Sequence, residues 1–403
     1  MQLVFLVEQE PPQLWVKDGK HQHQQLWVKG RDGRHVCLRV VTDGLNGVQS
    51  PAPLLWYVVN LGDSSNLQPC SKSNVRRMET EARKRDIEFM QKSTEDMNRK
   101  FEEEEEEKDE SDPMLNPIWQ TEGIPELCFW TARDSTIYCL GAKRSGEPGY
   151  SRNFRVFDLS EVVNISPPMI RKRMDGKAVI ARKNIYVFGG AKSKKAPWGE
   201  VLEFKGGGGE GAEWKALNEP PMRIPPSNVF AFPLGDAADG IIVASGCTDG
   251  LFLYNVFENS WNVLDEKFSF DGPSFTEPVI AGRSIYWVGS DEFICSYDLD
   301  TKELYHGDIN FLPMKDALDT VRVRRMSNRL PFLHLHGDIF CLVWLHANHD
   351  RSHPRSVFVF HKVHVSRRFG KKEGEHSLHV KPVSTDYFLT DHGLIFHFDG
   401  LVL

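Results

Sequence analysis

Short apolar runs, most of them closed by glycine, recur along the chain at intervals too regular for chance. Ile185-Tyr-Val-Phe-Gly-Gly190 is the clearest. Ile137-Tyr-Cys-Leu-Gly141 and Ile285-Tyr-Trp-Val-Gly289 repeat it, with Ile241-Ile-Val-Ala-Ser-Gly246 and Asp338-Ile-Phe-Cys-Leu342 as looser copies. Counted from their isoleucines, the five begin 48, 56, 44 and 54 residues apart. Runs of this length, rich in β-branched and aromatic residues and bounded by glycine, predict strands.

The rest of each unit keeps step. A second apolar stretch closed by an aromatic follows each phrase: Phe154 to Phe157, Val201 to Phe204, Leu251 to Tyr254, Ile294 to Tyr297 and Val357 to Phe360. A third carries Trp214 or Trp261, with Leu304 standing where Trp261 would. Three units end alike, at Pro167-Pro-Met169, Pro220-Pro-Met222 and Leu312-Pro-Met314, and proline cannot donate to a sheet ladder. A further strand is expected soon after: Lys177 to Ala181, Asn228 to Phe232, Pro278 to Ala281 and Phe332 to His336. Four strands repeating near every 50 residues predict an all-β fold, a β-propeller, because one such sheet cannot bury both faces without a neighbour on each side.

This pattern resembles the kelch repeat, which has a Gly-Gly doublet after its second strand and then a spaced Tyr and Trp. Gly189, Gly190 and Trp214 carry that likeness, and the other units are degenerate. Ser284-Ile-Tyr-Trp-Val-Gly289 followed by Phe293-Ile-Cys-Ser-Tyr-Asp-Leu299 also looks like the repeats of plant F-box-associated proteins. The resemblance implies a protein-binding propeller. Family members of this kind recruit substrates for ubiquitin ligases through an F-box or BTB domain, and neither is visible ahead of these repeats.

The ends predict how the sheets close. Asp386 to Thr390 and Leu394 to Phe398 read as two strands of a sixth unit, and Ile395 lies 56 residues after Ile339. Open edges are a pairing hazard, so the unit should be completed from the other terminus, with Leu54 to Asn60 as donor and Ile118 to Gln120 as outer strand. The expectation is six blades, with seven the alternative if residues 1–50 hold a further unit. Residues 1–53 are an irregular N-terminal region with room for extra strands, 54–61 the completing strand, 62–113 an acidic insertion, mobile and partly helical, and 114–403 the propeller. Gln13-Leu-Trp-Val-Lys17 recurs as Gln25-Leu-Trp-Val-Lys29, either as two hairpin strands or as a duplication without structural purpose; the second reading is preferred. His35 to Val41 alternates as a strand does.

Composition narrows the functional classes. Formal net charge is -7 over 403 residues. Val75 to Glu110 holds nine basic and fourteen acidic residues, so the remainder is near neutral and lacks the basic face that nucleic-acid binding needs. No run of 18 apolar residues occurs, which excludes a membrane-spanning helix. The seven cysteines are odd in number, with no C-x-x-C, which fits a reducing cytosol or nucleus.

Chemistry-bearing motifs are sparse. Histidines gather at His334 and His336, at His346, His349 and His353, at His361 and His364, and at His376 and His379. Alternate strand positions share a face, so His334 and His336 could ligate one metal ion, and His346 to His353 sits in a loop with Asp350 as another ligand set, but no Cys pair or Glu accompanies them at metal-site spacing. Gly206 to Gly209 lies between two expected strands with no helix after it, so it reads as a hairpin and not a phosphate cradle. The basic clusters Arg171-Lys-Arg173, Arg322 to Arg325 and Arg367 to Lys372 read as rim charges. No catalytic, cofactor-binding or metal residue is assigned, and no cofactor is expected. The functional expectation is a monomeric protein–protein interaction scaffold or substrate-recruiting adaptor without catalytic activity, cytoplasmic or nuclear, binding protein partners such as a ubiquitin-ligase component or its substrate, and neither nucleic acid nor membrane. The alternative is a metal-dependent or acid–base enzyme with its site at the propeller channel.

Overall fold

The computed structural model describes residues 13–15, 25–27, 35–42, 54–61, 119–121 and most of 128–402, apart from 142–151, 205–211, 310–329, 348–355, 369–376 and several shorter stretches. The described residues contain no helix, and the fold is all-β. The acidic segment 73–110, Gly206 to Gly209 and Arg322 to Arg325 lie outside the described residues.

The N-terminal duplication pairs with itself. β1 (Gln13–Trp15) and β2 (Gln25–Trp27) form a two-stranded antiparallel sheet with Gln13 opposite Trp27, which corrects the reading of the repeat as purposeless. Two copies of one phrase carry the same β-propensity and present matching positions when the chain turns back.

Each of the next sheets has four strands. β3 (His35–Thr42), β4 (Leu54–Asn60) and β5 (Trp119–Thr121) belong to a sheet completed from the C-terminus. β6 (Phe129–Arg133), β7 (Thr136–Leu140), β8 (Phe154–Asp158) and β9 (Glu161–Val163) form an antiparallel meander. So do β10 (Lys177–Ala181), β11 (Asn184–Phe188), β12 (Gly199–Glu203) and β13 (Glu213–Ala216). A third comprises β14 (Val229–Leu234), β15 (Gly240–Ser245), β16 (Leu251–Asn255) and β17 (Ser260–Asp265). The five apolar phrases of the sequence supply the second strand of their meanders.

Two further meanders share one eight-stranded, nearly closed, barrel-like sheet. The first is β18 (Val279–Ala281), β19 (Ser284–Val288), β20 (Phe293–Asp298) and β21 (Leu304–Asp308). The second is β22 (Phe332–His336), β23 (Ile339–Ala347), β24 (Ser356–Arg368) and β25 (Ser377–Thr390). A parallel bridge between His306 and Ser377 joins their last strands, and a bridge between Thr276 and Leu330 joins the segments ahead of their first strands.

The C-terminal β26 (Ile395–Val402) pairs with β3, giving the order β26-β3-β4-β5. One C-terminal strand therefore enters this sheet, where two were expected. Asp386 to Thr390 is instead the end of β25, paired along its length with β24. The β24–β25 register shifts between Lys362 and Val363, where Pro382 stands opposite Val363, and a bulge tolerates the missing N–H.

Core residues lie between successive sheets. Phe129, Leu140 and Phe154 pack against Ile185, Leu202 and Trp214, and Tyr186 and Phe188 against Ile241 and Tyr254. Phe230, Ile242 and Phe270 meet Trp287 and Tyr297, and Tyr286 and Tyr305 meet Phe332 and Phe340. The sheet built from both termini joins the series at each side: Tyr57 lies 5.9 Å from Phe358, and Trp56 meets Trp130 edge-on at 5.1 Å. First strands lie beside one another in the order β6, β10, β14, β18, β22, β26.

Two tryptophans tie sheets to the linkers ahead of them. Trp214 Nε1 donates to Pro167 O at 3.0 Å, and Trp261 Nε1 to Asn218 O at 2.8 Å. Each linker carries a Pro-Pro-Met phrase, so the tryptophan satisfies a carbonyl in a segment that cannot join a ladder. Leu304, in the third unit, has no such donor.

Candidate functional site

Antiparallel meanders put their connections at two ends, and buried polar nodes hold some of those connections in place. The most buried node centres on Arg173, which lies in the linker ahead of β10 and is 0% exposed. Its Nε donates to Glu200 Oε1 at 2.5 Å, and Glu200 is equally buried. Arg173 Nη1 donates to Gly189 O and, at 3.0 Å, to Trp198 O; Nη2 donates to Pro197 O at 2.8 Å. Glu200 Oε2 accepts the Ile170 amide at 2.6 Å. Burial pushes the Arg173 guanidinium below its usual range, against the pull of Glu200. The expectation of a rim charge is corrected for Arg173, while Arg171 and Lys172 are exposed. Gly189 and Gly190 close this node with φ of 66° and 71°. A Cβ on Gly190 would stand 2.6 Å from the Gly176 nitrogen, so neither conformation nor space admits a side chain.

A second node sits on the β18–β25 seam. Arg367 Nη1 pairs with Asp298 Oδ2 at 2.5 Å, Nη2 donates to Ser284 Oγ, and the guanidinium lies 4.8 Å from the Tyr305 ring centroid. Asp298 Oδ1 also accepts the Asp300 and Thr301 amides, each at 2.9 Å. Burial alone would raise the Asp298 carboxyl, but the Thr301 amide, Arg367 and the Asp300 amide outweigh it and hold it below the usual range. Arg367 too is a structural tie where a rim charge was expected. A third arginine, Arg39 on β3, donates to Cys128 O at 2.6 Å and to Cys128 Sγ at 2.8 Å, linking the terminal sheet to β6.

The histidines do not gather into one site among the described residues. His334 Nε2 lies 2.8 Å from Gly337 O, His336 is exposed, and the β22–β23 register shifts between them. His361 is 2% exposed, with Nδ1 2.7 Å from Thr385 Oγ1. Burial drives its imidazole down to about 4 despite nearby Asp386, so it is neutral at pH 7. His349, His353 and His376 lie outside the described residues, as does the side chain of His346. No three His, Cys, Asp or Glu side chains converge as a metal ion would require among the described residues. One pair escaped the sequence reading: Cys295 Sγ stands 3.6 Å from His306 Nδ1, cross-strand neighbours on β20 and β21. Only the strand register, which is not written in either residue's local sequence, brings them together.

No protein-family model matches the chain, and no curated protein matches it.

Proposed function

We propose that this chain is a six-bladed, kelch-like β-propeller acting as a protein-interaction scaffold or substrate-recruiting adaptor in the cytoplasm or nucleus. The observation that carries this reading is the serial contact of four-stranded meanders through their first strands, two of them within one eight-stranded sheet, with the last sheet built from both termini. A ring of that kind leaves its inter-strand turns at two rims while the interior is committed to packing, and turns on a rigid scaffold are where binding residues concentrate. The polar nodes support the same reading, because Arg173 and Glu200 spend their charge fixing a linker to its own sheet, and Arg367 and Asp298 theirs holding two meanders together. A ubiquitin-ligase component or its substrate is the partner that the kelch likeness favours.

Negative-stain imaging of the purified chain tests the architecture, and a six-fold ring with a central channel is expected. Cross-linking mass spectrometry on captured partners tests the function, with cross-links expected at inter-strand turns. A particle without a ring, or cross-links confined to residues outside the sheets and their turns, would refute the reading.

A further inference from the structure

We infer that the β10–β11 turn and Phe257 form a docking spot for an acidic protein segment that carries an aromatic side chain. This deepens the interaction-scaffold reading and rests on it. The turn is built from Arg182 and Lys183, at φ of 47° and 70°. A two-residue hairpin turn with both residues left-handed favours Asn-Gly, because a Cβ is strained there. Two other first turns put glycine where the backbone is left-handed, Gly282 at φ 59° and Gly337 at φ 50°. Two long cations stand here instead.

Their surroundings say what the strain obtains. Phe257, in the turn after β16, is 61% exposed, the most open large apolar side chain among the described residues. The Arg182 guanidinium lies 3.4 Å from its ring centroid. Arg182 Nε also donates to Asp239 Oδ1 at 2.6 Å, so the fork is oriented from the next sheet and one face of the ring is covered. Lys183 is exposed and makes no hydrogen bond or ion pair with the described residues. The uncovered face of Phe257 and the exposed Lys183, which follows the arginine covering the other face, fit an aromatic ring and a carboxylate offered together, and arginine and aromatic residues are the types that dominate interface energetics.

The partner is unidentified, so the probe is a fluorescein-labelled dodecapeptide alternating Asp or Glu with Phe, titrated into the full chain and read by fluorescence anisotropy. A Lys-for-acid peptide, a Ser-for-Phe peptide and a heparin oligosaccharide are the controls. The acidic aromatic peptide should bind, should bind more weakly as salt rises, and should lose about tenfold in affinity with Lys183→Gly or Phe257→Ala. Lys183→Gly should at the same time raise Tm by about 1 to 2 °C, because it relieves the left-handed backbone and removes no contact. Lys183→Glu should lose affinity without that gain. No binding, binding indifferent to these substitutions, an unchanged Tm in Lys183→Gly, or equal binding of heparin would each overturn the proposal. If captured partners cross-link to other turns while the peptide ignores Lys183, this spot falls and the scaffold reading stands; if neither peptide nor partner binds, both fall.

Discussion

Two seams of this molecule, one between a linker and its own sheet and one between two meanders, are each closed by an arginine–carboxylate pair, and they sit in different media. Arg173 and Glu200 are both fully buried, and the carbonyls of Gly189, Pro197 and Trp198 that meet the guanidinium come from one connection, residues 189–198. Arg367 and Asp298 keep 24% and 8% of their side chains exposed, with Tyr305 as a shelf beneath the cation. The first pair has exchanged water for fixed dipoles and depends on every partner being present. The second retains water as a reserve partner. A desolvated pair selects one geometry, because any other leaves a charge unsolvated; a half-wet pair tolerates adjustment. The tight node also holds the turn at Gly189 and Gly190, whereas the looser one spans two meanders that also meet through single bridges.

Glu200→Gln is the sharpest way to break the comparison. It keeps shape but leaves the Arg173 cation buried without a counter-charge, for which a loss of about 3 to 5 kcal/mol is expected. Urea unfolding at pH 7 measures it. A loss below about 1 kcal/mol would mean the site admits water and the two seams are alike.

Within the second region, His361 supplies a larger effect through pH than its neighbours supply through charge. Its imidazole is held near 4 when folded, by burial, and rises to the ordinary value of about 6.5 on unfolding. Between those values the unfolded chain binds a proton that the native chain refuses. Stability therefore falls as pH drops through that window, by up to about 3 kcal/mol, and is restored above it. His361→Gln should flatten the pH dependence of unfolding free energy between about 4 and 6.5, whatever it does to stability at pH 7. Equal slopes in the two proteins would show that His361 is solvated.

These seams also mark how far the sequence was legible. Glycine-closed apolar phrases have a local cause, so Ile185 to Phe188 and Ile285 to Val288 were read as strands and stand as β11 and β19. Gly190 was legible for the same reason, since a tight strand end forbids a side chain whatever lies beyond it. Partners distant in sequence left no local trace. Arg173 looked like Arg171 and Lys172 until Glu200 and three carbonyls were brought around it. Extrapolating the period also failed at the C-terminus, where Ile395 opens β26 in first-strand position although the spacing predicted a second strand. β24 and β25, with 13 and 14 residues, outrun every other strand and break the step. The docking turn was missed because Arg182-Lys183 is the reverse of a hairpin signal, and only the φ values reveal it.

The smallest expected effect completes the comparison. Asp298→Asn removes the charge facing Arg367 but leaves an amide oxygen for the Asp300 and Thr301 amides, and water reaches the freed guanidinium. A loss of about 1 kcal/mol at pH 7 is expected, well under that of Glu200→Gln. Because the Asp298 carboxyl is held below its ordinary value, its contribution is complete above about pH 4 and disappears as pH falls further, through the depressed folded value. Unfolding curves of wild type and Asp298→Asn should therefore differ at pH 7 and converge near pH 2. A difference that persists in acid would assign the loss to packing around the Asn, and the second seam would no longer be electrostatic in the sense that the first one is.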